Sequence, residues 1–306
     1  MRKFRSVLDM IPLIKKHVPR WAKTVVSAVF LISIVVVLGK LIQANIGSLV
    51  KALENDRYQF NHLVLQLEQH LPWHLTDVEA SFTQSIGKLI TGLIHSISSI
   101  VQSAFVILLY VIFIVFEESS FRPKLQALFP SKQHFDKSFQ LFTAIEKSVT
   151  NYIGLKTLIA FIAASLAFTI LYIIGIDAPF FWALIIFIMN FIPTIGALIG
   201  TLFPVLFAFM QFNTLTPGLM ILLFVGSSQL IVGNFLEPRL MGNSLNVSPL
   251  AAIFALAFWG AIWGITGMFL SVPITVIMVI VFSQFPRTRS IAILLSEKGT
   301  IENNQL

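Results

Sequence analysis

The chain reads as an all-α, polytopic integral membrane protein with about eight transmembrane or partly re-entrant helices. Two uncharged runs carry that reading. No charged side chain occurs in the 59 residues between Asp177 and Glu237, nor in the 47 between Arg239 and Arg287. One helical crossing uses roughly 20 apolar residues, so these runs alone hold about five. A water-soluble chain needs charge spread over its surface. Composition is the third observation, with 56% hydrophobic residues, 11% charged residues and 29 Phe. The net charge of +7 lies beside the apolar runs, which points to membrane topology and away from nucleic acid as a partner. Cys is absent, which excludes disulfides, thiolate catalysis and cysteine metal sites.

Eight apolar segments follow in order: Thr24 to Gly39, Ile97 to Phe116, Thr157 to Ile174, Ala178 to Phe191, Gly196 to Gln211, Gly218 to Phe235, Leu250 to Trp263 and Met268 to Ser283. Each must be helical, because unpaired peptide groups in lipid cost several kcal/mol. The first begins too late, and lacks the small-residue closure, for a cleavable signal. Seventeen of the 21 basic residues fall on one side of an eight-crossing topology, so both termini are expected in the cytoplasm. The organisation that follows is a basic cytoplasmic leader (1–23), a first crossing (24–42), an extracytoplasmic amphipathic segment (43–95) and a second crossing (96–116). A cytoplasmic amphipathic segment (117–156), a six-segment transport core (157–285) and a cytoplasmic tail (286–306) complete it.

Two extramembrane segments are helical by periodicity. Apolar residues from Ile46 to Leu71 alternate spacings of four and three, as in a helix lying on its own protein or one meeting copies of itself. A second stripe (Phe135, Phe139, Phe142, Ile145, Val149, Ile153) follows Pro130-Ser131, a helix start. It is expected to run straight into the third crossing.

The last six segments form two similar triples, each a full-length helix followed by two short ones with a Gly/Pro break between them. The breaks contain Pro193 and Gly196 in the first triple, Gly264 and Gly267 in the second. Interrupted short helices at matching places indicate a 3+3 inverted repeat, with two unrelated hairpins as the plainer alternative. Pro denies the backbone a donor, so the freed carbonyls belong in the protein interior.

Polar residues concentrate on the sixth segment. Gln229, Gly233 and Glu237 fall at i, i+4 and i+8 with Asn234 flanking, so one face is small and polar. Such groups act as glue between helices or line a pathway. Glu237 is expected to form an ion pair with Arg239, Asp177 to cap the helix opening at Pro179, and Asn190 to serve freed backbone at the first break. Enzymatic readings fare badly. All six His precede this polar half, Gly226-Ser227-Ser228-Gln229 lacks the nucleophile-elbow pattern, and no phosphate-cradling Gly-Lys-Ser/Thr loop occurs. No catalytic residue, metal site or cofactor is expected.

These residues also carry a family resemblance. The stretch Ile192-Pro193-Thr194-Ile195-Gly196-Ala197-Leu198-Ile199-Gly200 with Pro204, then Gln229 and Glu237-Pro238-Arg239-Leu240-Met241-Gly242, resembles the autoinducer-2 exporter (AI-2E) family of bacterial permeases. Ser248-Pro249, Trp259-Gly260, Trp263-Gly264-Ile265-Thr266-Gly267-Met268 and Val272-Pro273 continue it, with Leu128-Phe129-Pro130 and Tyr152-Ile153-Gly154 upstream. The likeness runs from about Ile11 to Leu295. Family members usually open with a further hydrophobic pair, so the chain either begins late or lacks it. The resemblance implies a transporter of the bacterial inner membrane that exports a small polar solute such as autoinducer-2, passively or coupled to Na+ or H+. A sodium/proton antiporter is the alternative, and a non-transporting oligomeric scaffold the third. It also implies a homo-oligomer, with a pentamer among the options. Gln229, Asn234, Asn190 and Thr194 suit a neutral polyol, whereas ion coupling needs a carboxylate, and Glu237 is the candidate.

Overall fold

The computed structural model describes residues 131–212, 214–242, 246–297 and 299, with residues 33, 40, 92, 109, 110, 113, 114, 117, 120, 121 and 123–128 before them. The first two expected crossings and the Ile46 to Leu71 helix therefore lie almost wholly outside the described residues. The chain divides into two compact units, 1–51 with 80–130 and 52–79 with 131–306. In the first, the described residues are helical and Lys124 pairs with Glu117 at an exposed site. The rest of the fold below belongs to the second.

Described residues form helices joined by turns, with no strand among them. Helix α1 spans Lys132–Ile174, α2 Pro179–Met189, α3 Ile195–Phe212 and α4 Leu215–Ile231. A π-helical segment, Val232–Leu236, joins α4 to α5 (Glu237–Met241). Then come α6 (Pro249–Trp263), α7 (Ile265–Ser283) and α8 (Arg289–Leu295). Among the described residues four stretches are long and apolar enough to cross a membrane: Phe135–Ile174, Ile195–Phe212, Leu215–Met241 and Ile265–Ser283. At 1.5 Å per residue the 43 residues of α1 reach about 65 Å, roughly twice the hydrocarbon thickness. Its amphipathic half and its apolar half are one rod. By contrast α2 and α6, of 11 and 15 residues, are shorter than that thickness.

Local chemistry sets each boundary. Gly175 ends α1 in the left-handed region (φ 84°), its N–H donating to the carbonyls of Leu171 and Tyr172. Pro179 opens α2 where a missing N–H costs nothing. Asp177 does not cap this helix. Its side chain is exposed, and its N–H donates to Gln211 Oε1 at 2.8 Å while Gln211 Nε2 donates to the Gly175 carbonyl at 3.1 Å. A side chain at the end of α3 thus secures the α1–α2 turn. Ser248 caps α6 by accepting from the Ala251 N–H at 3.1 Å, with Pro249 in the first turn.

Packing inside a bilayer gains little from expelling water, so it relies on close fit and small residues. Helix α1 packs against α2, α4 and α7, while α3 lies on α2 and α4, and α7 on α6 and α8. The inner face of α1 carries Ala160, Ala163, Ala164 and Ala167, all buried. Trp182, Phe181 and Phe207 fill the space between α2 and α3, the rings of Trp182 and Phe207 being 5.2 Å apart. A second cluster joins Tyr152, Ile159 and Ala163 of α1 to Val232, Met241, Val272 and Val276. Phe161, Ile173, Leu223, Phe254 and Phe258 are exposed, as lipid-facing side chains should be.

Both short helices turn into the next by the same device. An added Cβ on Gly196 would overlap the Met189 carbonyl, and one on Gly267 would overlap the Trp259 carbonyl. Each glycine lets the first turn of a long helix touch the backbone of the short one before it. A peptide carbonyl cannot swing aside, so even Ala is too large at either place. Gly196→Ala and Gly267→Ala should each destabilise the folded protein by about 1–3 kcal/mol. Gly233→Ala, where the added Cβ meets open space, is the control, and thermal melts in detergent compare the three. Unchanged melting of Gly196→Ala and Gly267→Ala would remove the close approach as a cause.

Candidate functional site

Buried polar side chains are few, so each one in the membrane half has to be accounted for. Thr201, Ser271 and Thr275 satisfy themselves on their own helices, donating to the carbonyls of Ala197, Met268 and Ser271 at 2.7–2.9 Å. Three others do not stay on their own helix: Asn190, Gln229 and Lys156.

Asn190 follows the last residue of α2, at the first break. Its Nδ2 donates to the Ile186 carbonyl at 3.1 Å and to Gln229 Oε1 at 3.2 Å. Both amides are buried, at 8% and 5% exposure. The break between α2 and α3 is therefore tied to the last turn of α4 by a side-chain amide pair. Gln229 Nε2 finds no acceptor, and neither does Trp182 Nε1. Burying a carboxamide donor without a partner costs on the order of 1–3 kcal/mol, so Gln229 has a donor to offer.

The second pair lies at the far side of the π-helical segment. Lys156 Nζ donates to Glu237 Oε1 at 2.5 Å. The lysine side chain is 5% exposed and the glutamate 27%. Lys156 sits between Tyr152 and Ile159 on the face of α1 that meets Val232 and Met241. A lysine normally carries its head to water along its methylenes. Here it stays inside, and a carboxylate meets it.

The sequence reading of the site is corrected at three points. Glu237 pairs with Lys156, not Arg239, which is exposed; residues two apart on a helix face different sides, so Glu237 and Arg239 diverge. Asn234 is exposed and does not join Gln229, because five residues at 3.6 per turn carry it about 140° around the helix axis from Gln229. Thr194 is exposed at the turn with φ 57°, a strained value for a β-branched residue, away from the amide pair's interior. At the breaks, Pro193 is half-buried in the turn, Gly196 and Gly267 are in close backbone contact, and Gly264 alone links α6 to α7 at φ 62°. Lys156 was missed because it ends a loop in the charge pattern. The signal was present, since Lys156 continues the apolar stripe three residues after Ile153. No cluster of His, Cys, Asp and Glu that could hold a metal occurs among the described residues.

This arrangement, short broken helices around paired polar groups in a membrane-spanning bundle, is that of a transport protein, and comparison with known proteins agrees. The AI-2E family transporter model matches residues 11–287. The chain belongs to the AI-2E transporter family. It is 32% identical over 305 residues to the AI-2 transport protein TqsA of Escherichia coli (strain K12), covering 94% of this chain and 85% of that one. A protein of Borreliella burgdorferi named "Putative transport protein" is 31% identical over 74% of this chain and 62% of its own. One of Haemophilus influenzae with the same name is 26% identical over 94% and 86%. The chain is thus a multi-pass membrane transporter of the AI-2E family.

The amide pair and the exposed Asn234 make opposite predictions. Asn190→Leu should cost about 1–3 kcal/mol by leaving Gln229 Oε1, like its Nε2, without a partner. Asn234→Ala should change stability by no more than about 0.5 kcal/mol. Denaturant melts of the purified protein compare them, and equal costs would mean that the amide bond contributes nothing.

Proposed function

We propose that this AI-2E transporter moves a small, uncharged, oxygen-rich solute outward through a path at the first break, where Gln229 and Asn190 meet. The observation that carries this reading is the buried Gln229 Nε2 without an acceptor. Free carboxamide donors match hydroxyl, ether or carbonyl oxygens of a solute, and polar donors inside a membrane usually mark a pathway. The printed name of TqsA makes AI-2 the first solute to test. On this reading the protein lies in the inner membrane with both termini cytoplasmic, and the two triples act as halves of an inverted repeat. The shared glycine-to-carbonyl contact supports the repeat. Assembly of several copies through the Ile46 to Leu71 stripe belongs to the same proposal.

A second reading is cation or proton coupling at Glu237. It is favoured by one observation, a carboxylate held inside the bundle by a buried partner. Flux of AI-2 in sealed vesicles, normalised to folded protein, separates the two. Passive export expects Gln229→Leu to lower flux tenfold or more, with Glu237→Gln within about twofold of wild type. Coupling expects Glu237→Gln to abolish gradient-driven uptake while sparing exchange at equilibrium. Wild-type flux in both variants would place the pathway elsewhere.

Topology is tested separately. The chain has no Cys, so a single Cys at Gln66 is a clean reporter. It should react with an impermeant maleimide from outside the cell. Labelling from the cytoplasmic side alone would reverse the orientation.

A further inference from the structure

Lys156 is 4% exposed, and a lone ammonium in such surroundings is costly unless paired. Its partner is Glu237. Tyr152 lies one turn earlier on the same face of α1 and is buried there. Arg239 is exposed. The carboxylate thus has one cation against it, and that cation hangs on four methylenes. Tyr152, Ile159, Val232 and Met241 belong to a buried cluster on this face of α1, and the Glu237 side chain is half-buried beside it.

The half-buried carboxylate gains from a counter-cation and keeps some access to its surroundings, so the identity of that cation is open to exchange. The ammonium is tethered, and its stem is long enough to carry the head toward water. The π-helical turn immediately before Glu237 is a backbone irregularity of the kind found at functional sites. We propose that Glu237 is a cation-binding carboxylate whose resident occupant is the Lys156 ammonium, so that a small inorganic cation binds only by displacing Lys156. Charge is conserved without covalent change: one mobile cation enters as one ammonium swings to the aqueous end. Competition with a tethered cation keeps the affinity low and forces release once Lys156 returns. For transport this deepens the ion-coupled reading and rests on it; the binding itself does not.

The test uses the full chain in detergent, melted across an NaCl series with choline chloride holding ionic strength constant. Binding to the folded state raises the melting temperature with the logarithm of ligand concentration above its Kd. Lys156→Met should melt below wild type without sodium and rise by several degrees as sodium is added. Wild type should show less than half that sodium-specific rise, and Lys156→Met/Glu237→Gln none, while remaining folded. Recovery of folded Lys156→Met only at high NaCl supports the proposal as well. A Lys156→Met chain as insensitive to sodium as the double variant overturns it. So does one that folds at no sodium concentration, because a bound cation should have replaced the ammonium. Failure of the double variant to fold also counts against it, since packing and not charge would then hold the site. If flux shows no ion dependence while sodium binding to Lys156→Met persists, coupling is lost and the cation site stands.

Discussion

A peptide group in hydrocarbon must find its hydrogen bond inside the protein, and most of this architecture follows from that one constraint. It makes every crossing helical. It also makes each interruption expensive, so the two interruptions are built with unusual closeness. At the first, Gly196 brings α3 against the Met189 carbonyl; at the second, Gly267 brings α7 against that of Trp259. Pro204 and Pro273 lie inside the helices that follow, where each removes a donor from the preceding turn. Both prolines are buried. Residues 190–192 of the first break are buried as well, whereas residues 261–266 at the second are exposed.

Interior space won in this way is where the polar groups sit. Asn190 stands at the first break because that is where α2 stops, and its amide reaches Gln229 in the middle of a neighbouring crossing. Eight residues later the same helix presents Glu237 to α1. Between the two lies the π-helical turn. One rod thus carries two separate polar sites, Gln229 meeting Asn190 and Glu237 meeting Lys156 of α1.

The helical class was legible because length and apolar periodicity are local properties. The amide pair was half legible. Asn190 and Gln229 were visible as buried-polar candidates, but nothing local says that positions 39 apart in sequence touch. Lys156 was hidden by its neighbourhood. Charge-counting assigns a lysine beside a basic loop to the aqueous side, whereas the deciding fact is that α1 continues without a break through that boundary. Arg239 misled for the opposite reason, being close in sequence and wrong in angle. The helix α8 within the tail was missed because seven residues are too few for a periodicity argument.

The two polar sites differ in what they ask of a ligand. Gln229 holds out a neutral donor, which an uncharged oxygen compound satisfies without altering the charge of the bundle. Lys156 and Glu237 are already neutral as a pair, so any ion that enters must separate them, at the cost of leaving a buried charge briefly exposed. That asymmetry ranks the two readings. Passage of a neutral solute needs only a conformational change around the amide pair, and the charged pair can stay closed throughout as a brace between α1 and α5. Ion coupling needs the same brace to open in every cycle. The long rod of α1 is fixed at one end by the Gln211 bonds around Gly175 and joined near its middle to Glu237. Opening the brace would free the middle of that rod while its end stays held. Whether the ion pair is a permanent strut or a reversible one therefore decides whether this bundle moves solute alone or solute against an ion.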